Sequence, residues 1–317
     1  MRKIIISIIA ISLLIIGCKK SNNYNYVFAT GGTSGTYYSF GGSIASIWNA
    51  NIEGMNVTAQ STGASAENLR LLNRHEADLA FVQNDVMDYA YNGTDIFAGE
   101  VLTNFSAMLT LYPEIVQIAA SKESGIKSIA DMKGKRVSVG DAGSGVEFNA
   151  KQILETYGLS FNDINKANLS FKESSDSLQN GTLDACFIVA GIPNAALQEL
   201  SLSKDIVLIS LDKIQLDELL SKYKYYTEIT IPANTYNGVK TDTLAIAVKA
   251  SIAVNNNIPE DVVYNLMKTL FDKKADLSVA HSKGEELDIK DAYKGISIPF
   301  HPGAIKYYQE LGYTVGQ

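Results

Sequence analysis

YVFATGGTSGTYYSFGG, Tyr26 to Gly42, runs from an apolar, β-branched segment into a cluster of Gly, Thr and Ser, then into paired aromatics and a second pair of glycines. A strand hands over to a helix here through residues that leave the main chain bare. Glycine permits close approach to the backbone, and small hydroxyls add rotatable donors. Helix N-termini present unpaired N–H groups and a partial positive charge. The stretch therefore reads as the first of several places where a ligand meets backbone.

Three more loops have the same character: STGAS (61–65), VQND (82–85) and GDAGSG (140–145). Each follows a strand pattern, and the first and third of these lead into a helical pattern. One such loop is ordinarily a turn and an N-cap. Four at corresponding strand ends, from both halves of the chain, point to an anion site that needs no Lys or Arg. A carboxylate fits better than a nucleotide, since neither G-x-G-x-x-G nor G-x-x-x-x-G-K-[ST] occurs. Tyr37 and Tyr236 offer apolar walls with one polar atom each.

Around these loops β and helical runs alternate. NYVFAT, MNVTAQS and ADLAFVQ read as strands, with helices YSFGGSIASIWNAN and SAENLRLLNRHE between them. The grammar restarts at IVQIAAS and continues through a short helix, a strand to VSVG, VEFNAKQILETYGL, ANLSF, SSDSLQNG and LDACFIVAG. After a Tyr-rich stretch come the strand TLAIAVKASIAVNN and two terminal helices. Such alternation implies an α/β fold with mostly parallel sheets flanked by helices. The expected architecture is two lobes, 26–111 with 243–317 and 112–242, hinged near Leu109–Pro113 and Thr241–Ile246. The ligand cleft would lie between them, at the C-terminal strand ends.

The ends and the composition narrow the setting. Arg2 and Lys3, the apolar run 4–16 and Gly17 make an export signal, residues 1–17. The run is too short to be read as a membrane span. IIGC resembles the lipobox of bacterial lipoproteins, which makes Cys18 the lipidated first residue of the mature chain and 18–25 its tether. The one other cysteine, Cys186, lies in an apolar run and reads as a buried, inert thiol without a disulfide partner. Removing Arg2 and Lys3 leaves 25 basic against 34 acidic residues, a net charge of −9. With no basic cluster beyond KGKR (133–136), nucleic acid is a poor partner. Three histidines and no Cys/His pairing leave zinc unsupported, and no cofactor is expected.

Catalysis is the weaker hypothesis. His75 lies in a polar helix end, His281 in a surface-like stretch, and His301 before Pro-Gly at a helix start. No G-x-S-x-G elbow occurs, and SGIK (124–127) and SLSK (201–204) match S-x-x-K without S-D-N or K-T-G.

The motifs TGGTSGTYYSFGG, STGASAENLRLLNRHEADLAFVQND, SIADMKGKRVSVGDAGSGVEFNAKQILE, DACFIVAGIPNAA, ITIPANTYNG and PFHPGAIKYYQELG occur in this order. Together they resemble the TAXI family, the extracytoplasmic solute receptors of one branch of the TRAP (tripartite ATP-independent periplasmic) transporters. The likeness runs from about Val27 to the C-terminus. It implies a periplasmic-binding-protein fold of type II character, closing as a monomer over a small acidic solute such as glutamate or a 2-oxo dicarboxylate. It also implies handover to TRAP membrane permease subunits driven by an ion gradient. By motif, the ligand contacts would be Thr33, Gly35, Thr36 and Tyr37, then Ser61, Thr62, Gly63 and Ala64, then Gln83 and Asn84. From the other lobe they would be Gly143, Ser144 and Gly145, with Ala190, Gly191 and Tyr236. Ser34 and Ser39 depart from the family's commoner Gly and Pro. The competing readings are a ligand-sensing domain for a sensor kinase and an enzyme on the same scaffold.

Overall fold

The computed structural model describes residues 23–316. The export signal and Cys18 lie outside the described residues.

The first half opens as the pattern predicts: β1 (Tyr24–Ala29), α1 (Thr36–Asn51), β2 (Met55–Gln60), α2 (Ser65–Asn73), β3 (Leu79–Gln83) and α3 (Asn84–Asn92). β1 pairs in parallel with β2 on one side and β3 on the other. The second glycine pair of the opening motif now has a reason. A Cβ on Gly41 would stand 2.7 Å from Thr30 Cγ2 and 3.3 Å from the Phe81 ring, so only glycine lets α1 sit this close to the sheet. Phe28, Phe40, Trp48 and Phe81 fill the space so created, and the Trp48 indole donates to Leu266 O at 2.9 Å.

The chain then crosses in β4 (Phe105–Ser121) and builds a second unit: β5 (Arg136–Ser138), α4 (Gly145–Thr156), β6 (Asn165–Ala167), α5 (Phe171–Gln179), β7 (Ala185–Ala190), α6 (Ala195–Ser203), β8 (Ile206–Leu208), α7 (Lys213–Lys222) and β9 (Thr227–Ile231). It returns in β10 (Thr243–Asn255), followed by α8 (Glu260–Asp272), α9 (Lys274–Ala280) and α10 (Pro302–Glu310). ANLSF, expected as a strand, is divided: β6 ends at Ala167, and Phe171 opens α5, where Ser170 and Glu173 form a capping box.

The strands form one path, β2-β1-β3-β10-β4-β7-β5-β6, with β8 beside β4 and β9 beside β10. The sheet is parallel at its two ends and antiparallel in the middle, where β4 and β10 run against β7, β3 and each other. The expectation of mostly parallel pairing holds within the βα units and fails at these two long strands. They are connections as well as strands, carrying the chain out and back.

Two principal apolar cores flank them. The first gathers Phe105, Met108, Leu109 and Tyr112 of β4 with Ala250, Ile252 and Val254 of β10. The second gathers Val116 and Ile118 with Ile246 and Val248. The change of core falls at Pro113 opposite Lys249, where the ladder also loses register. Proline donates no backbone hydrogen bond, which breaks the ladder here, and the Lys249 N–H donates to Asn84 Oδ1 at 2.9 Å.

Candidate functional site

Between the two cores lies a cavity of about 40 Å³, room for a few water molecules. One wall is Gly31, Gly32, Gly35, Thr36 and Tyr37, joined by Ala64, Ser65 and Gln83. The facing wall is Asp141, Ser144, Gly145, Val146, Phe171, Val189 and Ala190, and Glu114 of β4 closes the floor.

Helix beginnings supply most of the polar lining. The N-cap positions of α1, α2 and α3 are Gly35, Ala64 and Gln83, and none caps its helix with a side chain. α4 is capped by Ser144, whose hydroxyl accepts from Glu147 N at 3.3 Å. Unsatisfied N–H groups at such ends favour an anion. Ala64 stands at φ 69°, ψ −146°, a conformation that normally requires glycine. The loops are braced from behind. Gly63 N donates to Glu67 at 2.6 Å, and Gly143 N to Glu147 at 2.8 Å, with Glu147 itself held by Lys166 and Asn168.

The walls meet at Gln83 and Gly145. A Cβ on Gly145 would fall 1.9 Å from Gln83 Oε1, so the glycine allows α4 to touch the end of β3. Gln83 Oε1 is buried and has no hydrogen-bond partner among the described residues. On the floor, the Tyr37 hydroxyl donates to Glu114 Oε2, while its ring stacks on Phe81 at 4.7 Å. Burial pushes the Glu114 carboxyl up to about 8 and the Tyr37 phenol well above its usual range. Burial also raises Asp141. Among the described residues, no Lys, Arg or His lines this cavity.

Of the residues expected from sequence, Gly35, Thr36, Tyr37, Ala64, Gln83, Ser144, Gly145 and Ala190 come together here. The others are placed elsewhere. Ser61 donates to Gly31 O at 2.9 Å, and Thr62 to Thr30 O and Asn68 Oδ1, so both tie the first two loops together. Gly63 and Gly143 serve the bracing contacts above. Asn84 donates to Gly295 O and accepts from Lys249, stapling α3 to the centre of β10. Tyr236 donates to Gln117 and accepts from Asn194 N at 2.8 Å, a strut behind the Ala190 segment. Thr33 faces a neighbouring cleft, and Gly191 packs on the Lys283 side chain. Gly31, Gly32, Ser65 and Asp141 lie in loops the sequence singled out but were not named as contacts, and Glu114, Val146, Phe171 and Val189 were missed. A lone carboxylate inside the apolar run of β4 was the signal for Glu114.

The neighbouring cleft holds a Ser–His contact, Ser39 Oγ to His281 Nε2 at 3.1 Å. His281 Nδ1 accepts from Lys283 N at 3.1 Å, which puts the ring proton of the neutral imidazole on Nε2. Burial lowers the ring's affinity for a second proton. The histidine thus donates to Ser39 and is no base for it. His75 Nδ1 meets Asn255 Nδ2 at 2.7 Å, and His301 caps α10 through Gly303 N. Cys186 is buried, its thiol pushed up to about 12.

A profile of the NMT1-like family matches residues 28–312. The fold is similar to that of the periplasmic aliphatic sulphonate binding protein SsuA from Escherichia coli, with TM-score 0.52, 17% identity, and 91% of this chain and 84% of that one covered. It is also similar to PhnD1 from Prochlorococcus marinus in complex with methylphosphonate, with TM-score 0.55, 11% identity, and 92% and 99% covered. A binding protein component of an ABC phosphonate transporter from Pseudomonas aeruginosa gives TM-score 0.50 at 12% identity, with 83% and 79% covered.

Proposed function

The chain belongs to the NMT1-like family, and from that membership and the cavity we propose that it is an extracytoplasmic solute receptor, binding a small acid and delivering it to a membrane transporter. The observation that carries the reading is the convergence of four helix N-termini, three without side-chain caps, on one small cavity between two cores. That arrangement stabilises an anionic group without a basic side chain.

We take the lobes to be 26–111 with 243–317 and 112–242, hinged in the middle of β4 and β10; the change of core where Pro113 faces Lys249 supports that reading. Opening would part Gln83 from Gly145 and expose the helix ends. Closing would desolvate the anion, which is stabilised by its contacts in the closed state alone. Export and a lipid on Cys18 would hold the receptor at a membrane surface. Intact mass of the native protein tests this, because lipidation and loss of residues 1–17 change it together.

For the solute we favour a carboxylate, and for the transporter the TRAP type, on the strength of the motif resemblance. The second reading comes from the structural neighbours: an aliphatic sulphonate binding protein, a methylphosphonate complex and a component of an ABC phosphonate transporter. A thermal-shift panel of carboxylates, alkanesulphonates, alkylphosphonates and sugars separates the ligand classes. At a hundred times the dissociation constant a ligand adds about 2.7 kcal/mol of stability. A shift with sulphonates or phosphonates alone would replace the carboxylate reading, and a shift with sugars alone would end the anion reading. Uptake of the bound acid into vesicles bearing the permease separates the transporter types: collapse by an ionophore marks the TRAP type, dependence on ATP the other.

A further inference from the structure

The donors of the cavity face three acceptor side chains, one of which is unused. Glu114 is 3% exposed and Gln83 3% exposed, and both line the space. Gln83 Oε1 has no partner among the described residues. Asp141 adds a third acceptor on the facing wall. A carboxylate ligand satisfies the helix N–H groups but leaves Gln83 Oε1 unanswered and Glu114 with the Tyr37 hydroxyl as its donor. It also adds a negative charge to a cavity whose own ionisable side chains are acids and a phenol. Buried acceptors and charges require donors and countercharges, and no basic side chain in the lining provides one.

Resting on the anion reading above, we propose that Glu114 and the Gln83 amide oxygen seat an ammonium group of the solute, so that the receptor selects an amino acid over the same acid without its amine. The empty site then holds Glu114 as a neutral carboxylic acid. On binding, the ligand arrives as R–NH3+, the Glu114 proton leaves to solvent, and the resulting carboxylate pairs with the ammonium. One proton is released and no covalent bond between heavy atoms changes.

The groups facing Glu114 fit this exchange. Tyr37 of α1 donates to it and favours the charged form. Tyr112 of β4 and Asp85 of α3 are acidic neighbours, and Asp85 opposes a charge on Glu114. Lys283, beyond α9, favours the charge least of these influences and is itself paired with Glu286. Glu114 therefore lacks a dedicated countercharge in the protein, and its carboxyl stands at about 8. At pH 7 about nine-tenths of the empty sites carry the proton.

The test uses the full-length chain in calorimetric titrations at pH 7, in two buffers of different ionisation enthalpy. The probes are L-glutamate, L-aspartate and L-leucine, each beside its amine-free and 2-hydroxy counterparts (glutarate and 2-hydroxyglutarate for the first). The expected result is that an amino acid binds with release of about 0.9 proton, at least tenfold tighter than either counterpart. Its affinity should rise about tenfold from pH 6 to 7. Glu114→Gln should weaken that ligand on the order of a hundredfold and abolish the proton release. Should the variant not fold, the buffer comparison on the unaltered chain still decides. Equal affinity for an amino acid and its counterparts, without proton release, overturns the ammonium seat and leaves the anion reading standing. Binding of neutral solutes only would remove the anion reading itself.

Discussion

Tyr37 shows how much one hydroxyl controls. It donates to Glu114, and a donor to the charged form of a carboxyl favours that form. Burial outweighs it, which is why Glu114 still titrates at about 8. Tyr37→Phe removes the donor and keeps the ring on Phe81, so the carboxyl is held higher still. The pH at which amino-acid affinity levels off should move up by about one unit, a charge-assisted hydrogen bond contributing about 1.5–3 kcal/mol. Affinity measured from pH 6 to 10 reports it; an unmoved midpoint would mean that Glu114 does not titrate with binding. Ala64 makes a second, separate case. Its φ of 69° and ψ of −146° at the start of α2 cost about 1–3 kcal/mol in a non-glycine residue. Ala64→Gly should raise stability by about 1 kcal/mol after the greater freedom of glycine in the unfolded chain is allowed for. Urea denaturation of the ligand-free chain measures it. Neither residue was fully legible. Tyr37 stood out for its place after the glycines, but nothing in the sequence says which acid it meets 77 positions on.

At the scale of elements, the βα grammar was legible because period-2 and period-3.6 patterns reflect local burial. The partners chosen by small hydroxyls and amides were not. Ser61, Thr62 and Asn84 belong to loops that reach the cavity, yet each turns its side chain to neighbouring backbone. Ser65, one residue into α2, lines the cavity and also accepts from Gln83 N. Sequence names the loop; only packing decides which of its polar atoms are already used. The central antiparallel strands were hidden for a related reason, since strand direction depends on pairing far along the chain. Gly145 turns this into a prediction. A methyl group there meets Gln83 only where α4 touches the end of β3. Gln83 is 3% exposed, and the space open to its amide is the cavity it lines, where a ligand would sit. Gly145→Ala should therefore weaken ligand affinity about tenfold, the lower end of the usual cost of overpacking. The ligand-free chain should melt unchanged, because the clash belongs to the closed arrangement. A fall in both to the same extent would show that the contact serves the fold and not the closure.

Across the whole molecule, the proposed closure would be tied to a second buried acid. Asp85 on α3 accepts from Asn149 on α4 at 3.1 Å, and Asn149 also donates to the Tyr226 hydroxyl at 2.8 Å. Tyr226 donates to Gln152, which reaches Tyr89 and Asp95 on the other side. α3 packs in the first core and α4 mainly in the second, so this network spans the interface that opening would break. Burial raises Asp85 to about 6, against an ordinary carboxylate value near 4 in water. The closed form thus takes up a proton. Closure is favoured fully below the ordinary value, loses that support as pH rises to about 6, and is indifferent to this group above it. The total effect is about 3 kcal/mol. Glu114 has the opposite sign for an amino-acid ligand, since binding releases its proton and affinity climbs with pH up to about 8. Between pH 4 and 6 the two slopes cancel. Affinity should lie on a plateau there and then rise about tenfold per unit from pH 6 to 8. Asp85→Asn keeps the size of the side chain and removes the acidic linkage alone. In that variant the climb should start at pH 4 and run unbroken to 8, so that affinity matches the original near pH 4 and exceeds it about a hundredfold at pH 8. Binding isotherms at half-unit steps of pH test it. A plateau that survives the substitution would clear Asp85 of any part in closure, and a profile flat from 4 to 8 in both proteins would remove Glu114 as well.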